Sequence, residues 1–99
     1  MNKLTLKNSY TEDVSLVGTT ILSIPAVVYD MTISLEGDGD AVVSIADATT
    51  YSSTSRVIKA TTTAEVHTVH LVYPEGKIFS SGISAIANIG SVDIAITYE

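Results

Sequence analysis

The sequence predicts an all-β protein built as an antiparallel β-sandwich of about seven to eight strands. Ser and Thr supply 25 of the 99 residues and stand beside many Val and Ile, and these residue types favour pleated strands. Leu is infrequent and Gln is absent, so the residues that build surface helices are scarce. Turn residues separate short apolar segments at intervals of about 8–12 residues, which is the spacing of strands in a sandwich.

Two segments show the period-two alternation that places alternate side chains on opposite faces of a strand. In Val27–Leu35 the odd-numbered residues are apolar, and in Val92–Tyr98 the even-numbered residues are. We therefore predict that one face of each strand lies in the core. The predicted core residues are Val27, Tyr29, Met31, Ile33, Leu35, Val92, Ile94 and Ile96.

Six further segments have the composition of strands but a less regular pattern. They are Val14–Val17, Thr19–Ile24, Ala41–Ala46, Arg56–Ala60, Ala64–Tyr73 and Ile83–Ile89. Glu36–Asp40 is predicted to form a tight hairpin loop, because Gly and Asp tolerate a positive φ. Asp47–Ser55 is a polar loop, and Pro74–Gly76 is predicted to be a turn. This order of strands and turns is typical of a jelly-roll or immunoglobulin-like sandwich.

The length of 99 residues predicts a single domain that covers residues 1–99. The polar segment Met1–Asp13 has two interpretations, which we weigh equally. It is an N-terminal arm that reaches a neighbouring subunit, or it contains an ordinary first strand around Leu4–Leu6.

Composition argues against several classes of partner. Eleven acidic and five basic residues give a net charge of -6, which argues against binding to nucleic acid or to an anionic membrane surface. No segment reaches the ~18 apolar residues of a membrane helix, and no signal peptide is recognised, so we expect synthesis in the cytoplasm. Cys is absent, which excludes thiolate chemistry and a disulfide framework.

The hairpin loop contains a spacing that resembles a calcium-binding loop. Glu36, Asp38 and Asp40 stand at relative positions 1, 3 and 5, and Asp47 stands at position 12. Ala41 occupies the position where such loops have Gly. We favour a solvated hairpin tip, and calcium binding remains the alternative.

Two histidines, His67 and His70, form the only other cluster with metal-binding chemistry. On a strand, a spacing of three places their side chains on opposite faces, so they cannot share one zinc ion. We therefore predict no metal and no cofactor.

The sequence lacks the signatures of catalysis, and we expect no enzymatic activity. It has no Gly-x-Ser-x-Gly motif and no Gly-rich phosphate-binding loop. Among the aromatic residues, Tyr29 and Tyr98 follow the apolar face of their strands. The candidates for contact with a partner are Tyr51, Tyr10 and Phe79, and Tyr51 in the polar loop is the strongest of them.

Three segments resemble small β-sandwich proteins of tailed-phage virions. The segment Tyr73–Ile83 contains a Pro and a Gly before an aromatic residue, with a second Gly before the next strand, and Val92–Glu99 is an alternating terminal strand with Tyr near its end. Val43–Asp47 is similar to the strand end that these proteins carry before a Ser/Thr/Gly-rich loop. Together these segments cover about a third of the chain.

The resemblance implies a structural virion protein, a decoration or cement subunit that stabilises a tailed-phage head. Its partners would be further copies of itself, with a trimer favoured, and the major capsid protein. The alternatives are a small module that recognises carbohydrate or protein and a minor component of a tail or fibre. No catalytic residue follows from the resemblance.

The histidine interpretation predicts that replacing His67 or His70 with Ala leaves the metal content of the purified protein unchanged, because strand geometry separates the two rings. Elemental analysis by mass spectrometry tests this. Stoichiometric zinc in the wild-type protein that both variants lose would contradict the prediction.

Overall fold

The computed structural model describes residues 6–37 and 39–99, which form two four-stranded antiparallel sheets. The strands are β1 (Lys7–Val14), β2 (Thr19–Leu22), β3 (Ala26–Leu35), β4 (Ala41–Ala46), β5 (Arg56–Thr62), β6 (Thr68–Phe79), β7 (Ile83–Ile89) and β8 (Val92–Tyr98). The described ranges contain one turn of 3₁₀ helix, Ser53–Ser55, and no α-helix. None of their helical segments has the length and hydrophobicity needed to cross a membrane. The predicted all-β antiparallel sandwich is confirmed.

The strand order is that of a jelly roll. Sheet A has the order β1-β8-β3-β6, and sheet B has the order β2-β7-β4-β5. The first four strands pair with the last four in reverse order, as the two arms of one long hairpin do. Strand β1 pairs with β8, β2 with β7, β3 with β6 and β4 with β5. Pairing of β8 with β3 and of β7 with β4 rolls this hairpin into two sheets. An immunoglobulin-like order would place β1 beside β2 in one sheet, which does not occur here.

The core lies between the sheets, and sheet A contributes large side chains to it whereas sheet B contributes large and small ones in equal number. The large residues of sheet A are Val14, Val28, Met31, Ile33, Leu35, Phe79, Val92, Ile94 and Ile96. Sheet B contributes Ile21, Ala41, Val43, Ile45, Ala60, Ile83, Ala85 and Ala87. A mixture of large and small side chains allows two sheets to interdigitate without voids.

A β-bulge in β3 corrects the predicted core. Val28 pairs with Tyr98, and Asp30 pairs with the next residue of β8, Thr97, so Tyr29 is an extra residue in β3. The bulge inverts the alternation, and Ala26 and Val28 face the core on its N-terminal side. The prediction was right for the six residues from Met31 onward and wrong for Val27 and Tyr29, which are only half-buried.

A larger bulge in β6 replaces the predicted turn at Pro74–Gly76. Val28 pairs with Lys77 and Asp30 pairs with Val72, so the four residues Tyr73–Gly76 lie opposite Tyr29 alone. The strand continues through this segment to Phe79 because β6 is a sheet edge, where Pro removes no necessary hydrogen bond.

The predicted start of that strand, Ala64, is also wrong. The Thr63 hydroxyl accepts hydrogen bonds from the backbone N–H groups of Glu65 and Val66, and this turn delays β6 until Thr68.

The N-terminal elements differ from the prediction of a strand at Val14–Val17. Strand β1 ends at Val14, and Ser15–Gly18 connects it to β2 in the other sheet. Of the segment Met1–Asp13, the residues from Lys7 onward belong to β1, and Lys7–Thr11 pair with β8. Residues 1–5 lie outside the described residues. They include the first residues of the proposed arm and most of the proposed strand at Leu4–Leu6.

The packing of the β6 bulge predicts that Gly76→Ala destabilises the protein more than Gly37→Ala. Both glycines have a similar positive φ, 84° and 86°, which costs an Ala about 1–2 kcal/mol. A Cβ at Gly76 would also clash with Val27 Cγ1 and lie 3.2 Å from Tyr29 Cε1, whereas a Cβ at Gly37 meets nothing within 4 Å. We expect the clash to cost about 1–3 kcal/mol more. Urea denaturation of both variants measures the difference, and equal losses of stability would contradict the prediction.

Candidate functional site

The three predicted contact residues occupy different environments. Tyr10 lies on the outer face of β1 and is 61% exposed. Tyr51 is half-buried, and its Cβ lies beside Gly18, the residue before β2. Phe79 is fully buried in the core, since the β6 bulge restores its side chain to the inner face. Only Tyr10 therefore presents most of its ring to solvent, and the structure does not bring the three together.

The outer face of sheet A is polar. Strand β8 lies at its centre and presents Asp93, Ala95 and Thr97 outward, opposite the buried Ile94 and Ile96. In the register of the sheet, Ala95 and Thr97 each have one partner on β1 and one on β3. Asp93 has a partner on β3 and lies opposite the register shift in β1.

A depression of about 290 Å³ lies on this face. Its walls are Asn8 and Tyr10 on β1 and Asp30 on β3, and the outward side chains of its floor are Ala95 and Thr97 on β8. Thr97 Oγ1 donates a hydrogen bond to Asn8 Oδ1 over 3.1 Å. The depression is therefore a polar hollow with one aromatic wall.

A hydrogen bond fixes that aromatic wall. The Tyr10 hydroxyl donates to Asp93 Oδ2 over 3.0 Å, and this bond to a carboxylate raises the pKa of Tyr10 above its ordinary value. The Asp13 backbone N–H donates to the other oxygen of Asp93 over 3.1 Å. Asp93 therefore joins β1 to β8 through both of its carboxylate oxygens.

An acidic cluster lies beside Tyr10 at the end of sheet A. Carboxylate oxygens of Asp13, Glu36 and Asp93 lie within 4.8 Å of one another. The backbone holds them there: Asp13 adopts a positive φ of 58°, and the Glu36 N–H donates to the Ser91 carbonyl over 2.9 Å. Three carboxylates at this separation repel one another unless a proton or a cation is shared between them.

Within this cluster, Glu36 holds its proton more tightly than an ordinary glutamate. A hydrogen bond with Asp13, assisted by desolvation and by the neighbouring negative charges, raises the pKa of Glu36 to about 7. Sequence reasoning missed Asp13 and Asp93, because residues so far apart in the chain meet only through the register of β1, β3 and β8.

The calcium-loop spacing does not correspond to one site in the described residues. Glu36 belongs to the acidic cluster, and Asp38 lies outside the described residues. Asp47 lies at the far end of β4, where its carboxylate accepts hydrogen bonds from the N–H groups of Ser81 over 2.8 Å and Ser80 over 3.0 Å. These bonds lower the pKa of Asp47 below its ordinary value. Asp47 thus fastens β4 to the β6–β7 turn.

The two histidines are both exposed. His67 lies in the turn before β6, where its carbonyl accepts from the Leu35 N–H over 2.8 Å, and His70 lies on β6. The expectation that both stand on one strand was wrong for His67. The metal prediction made for them remains to be tested.

The basic residues have a distribution that bears on interactions with other chains. Sheet edges are β1 and β6 in sheet A, and β2 and β5 in sheet B. Every described Lys and Arg lies on one of these edges: Lys7 on β1, Arg56 and Lys59 on β5, and Lys77 on β6. Strand β2 carries no charge, and the exposed apolar residues Leu16, Val17 and Ile24 flank it.

Comparison of the sequence with protein-family models gives no match, and comparison with curated proteins gives none. The resemblance to tailed-phage virion proteins stays a prediction.

The raised pKa of Glu36 predicts that stability falls as pH rises from about 4.5 to about 7. The folded protein holds the Glu36 proton more tightly than the unfolded chain, whose ordinary pKa is 4.5, so folding loses this advantage as the proton dissociates. Glu36→Gln should remove this part of the pH dependence of the unfolding free energy. Urea denaturation at several pH values in this range measures it.

Glu75→Gln serves as the matched control, because Glu75 is an exposed glutamate in the β6 bulge, away from the cluster. We expect this variant to keep the wild-type pH dependence. An unchanged pH dependence in Glu36→Gln would show that the cluster does not hold the proton.

Proposed function

We propose that this protein is a structural virion subunit of the decoration or cement type, which stabilises a tailed-phage head by associating with copies of itself and with the major capsid protein. The observation that carries the proposal is the uncharged β2 edge, defined as residues 16–24, with its exposed apolar side chains. The jelly roll supports it by analogy, because this fold is common among viral capsid proteins, although it also serves lectins.

The β2 edge has the properties of a surface that another chain covers. An unpaired edge strand presents N–H and C=O groups to any neighbouring strand, and Lys residues on an edge oppose such pairing. In the described part of the chain, the three other edges carry a base and the β2 edge does not. Leu16, Val17 and Ile24 would then bury apolar surface on association, which is favourable at about 25 cal/mol per Å².

The occupant of the β2 edge in this proposal is a second copy of the same chain. Strand β2 spans only four residues, so a neighbouring edge gains few backbone hydrogen bonds and needs the flanking apolar side chains to hold it. A small domain also gains stability when identical neighbours bury its edges. The preference for a trimer comes from the resemblance to decoration proteins, which often sit on local three-fold positions.

Self-association should strengthen with salt, since each subunit carries a net charge of -6 and salt screens the repulsion. We expect sedimentation equilibrium to give a species of about three times the 10.4 kDa subunit mass at moderate salt, and less of it at low salt. Val17→Lys should shift the protein to monomer, because it places a charge on the uncharged edge.

Ile78→Lys is the matched control. Ile78 is 73% exposed and Val17 is 78% exposed, but Ile78 lies on the β6 edge, which already has Lys77. We expect this variant to associate like the wild type. A monomer of 10.4 kDa at both salt concentrations, or equal weakening by the two substitutions, would contradict association through the β2 edge.

The virion role itself has a separate test. The gene should lie beside a gene for a major capsid protein, and the purified protein should co-sediment with heads assembled from that capsid protein. Heads that gain resistance to heat or to chelators on binding would support the cement role. Failure to bind such heads would contradict it, whatever the free protein does in solution.

A further inference from the structure

We propose that the depression on the outer face of sheet A is a binding site for a single pyranose ring of a saccharide. The site consists of Asn8, Tyr10, Asp30, Ala95 and Thr97. It is a binding activity separate from the proposed assembly role, since it lies on sheet A and the β2 edge belongs to sheet B.

The register of the sheet gives the site its size. Asn8 and Asp30 are the two partners of Thr97, on either side of β8, so their backbones lie about 10 Å apart, two inter-strand spacings. The small side chain of Ala95, the partner of Tyr10, leaves the floor open. The resulting volume of about 290 Å³ is near the lower limit of small-molecule pockets, ~300 Å³, and suits one ring rather than a larger ligand.

The Tyr10 ring supplies the apolar wall that the C–H face of a sugar requires. The hydrogen bond from its hydroxyl to Asp93 holds the ring in place before any ligand arrives. A ring that is already ordered loses little conformational entropy on binding, which favours affinity. Its position on the edge strand β1 leaves most of the ring surface free for contact.

The polar groups of the site include a donor group on one wall and an acceptor group on the other. The Thr97 hydroxyl donates to Asn8 Oδ1, so the Asn8 Nδ2 amide group remains as a donor. Opposite it, the half-buried Asp30 carboxylate is an acceptor, and no described side chain donates a hydrogen bond to it. A sugar hydroxyl both donates and accepts, so adjacent hydroxyls satisfy Asp30 and Asn8 together.

This arrangement favours a saccharide over a cation. The carboxylates of Asp30 and Asp93 would attract an ammonium group, which also binds aromatic rings. An ammonium group only donates hydrogen bonds, however, so it would leave the Asn8 Nδ2 amide group without an acceptor. A neutral polyhydroxylated ring can donate to Asp30 and accept from the Asn8 amide group at the same time.

Titration of the ¹⁵N-labelled protein with methyl glycosides of glucose, galactose and mannose, followed by NMR, tests the proposal. We expect at least one glycoside to shift the Asn8 side-chain amide and the backbone signals of Tyr10 and Asp30, with millimolar affinity. Asp30→Asn should weaken binding about tenfold, because it removes a hydrogen bond to a charged acceptor. Ala95→Leu should abolish binding, because it fills the floor from the outer face without entering the core.

Asp40→Asn is the matched control for charge, since Asp40 is an exposed aspartate outside the depression, and it should bind like the wild type. If Ala95→Leu does not fold, as judged by its amide spectrum, Asn8→Ala takes its place, with an expected loss of about tenfold. Tetramethylammonium is the cationic probe. The proposal is overturned if no glycoside binds, if the site variants bind as well as the control, or if only tetramethylammonium binds.

Discussion

The packing of sheet A on sheet B is the constraint on which the rest of the structure depends. Strands β3 and β8 present Met31, Ile33, Ile94 and Ile96 inward, and the facing strands offer many small residues such as Ala85. Burial of these side chains is the main source of stability for a protein that has no disulfide. Strand β8 keeps its alternation without a break, so its outward residues are left free to vary in chemistry.

Two opposing bulges adapt the strands to this packing. One extra residue in β3 allows both Val28 and Met31 to face the core, and it leaves Tyr29 and Asp30 together on the other side. The β6 bulge then folds against Tyr29, and Lys77 Nζ lies 5.7 Å from the Tyr73 ring centroid. The β6 bulge thus packs against Val27 and Tyr29, the apolar residues of β3 that lie outside the core. The two bulges therefore add to the packing and do not disrupt it.

Charge is distributed by position within the two sheets. Bases stand on the edges of β1, β5 and β6, where they oppose unwanted strand pairing. Acids gather at the end of β1, β3 and β8, where Asp13, Glu36 and Asp93 converge and Tyr10 is anchored. This separation leaves β2 as the uncharged edge and leaves the polar depression on the opposite sheet. The two surfaces therefore have different chemistry.

The sequence by itself determined the fold class and most of the strands, because alternation is a local property that depends only on neighbouring residues. It located β4, β7 and β8 at their observed bounds and β3 to within one residue. Of the eight residues of β3 and β8 that were predicted to lie in the core, six are buried. Only the tertiary structure decided the burial of Phe79, the half-exposure of Val27, and the meeting of Asp13 with Glu36 and Asp93. Each of these depends on a bulge or on the register between strands distant in the chain, and no local pattern encodes a residue's partner across a sheet.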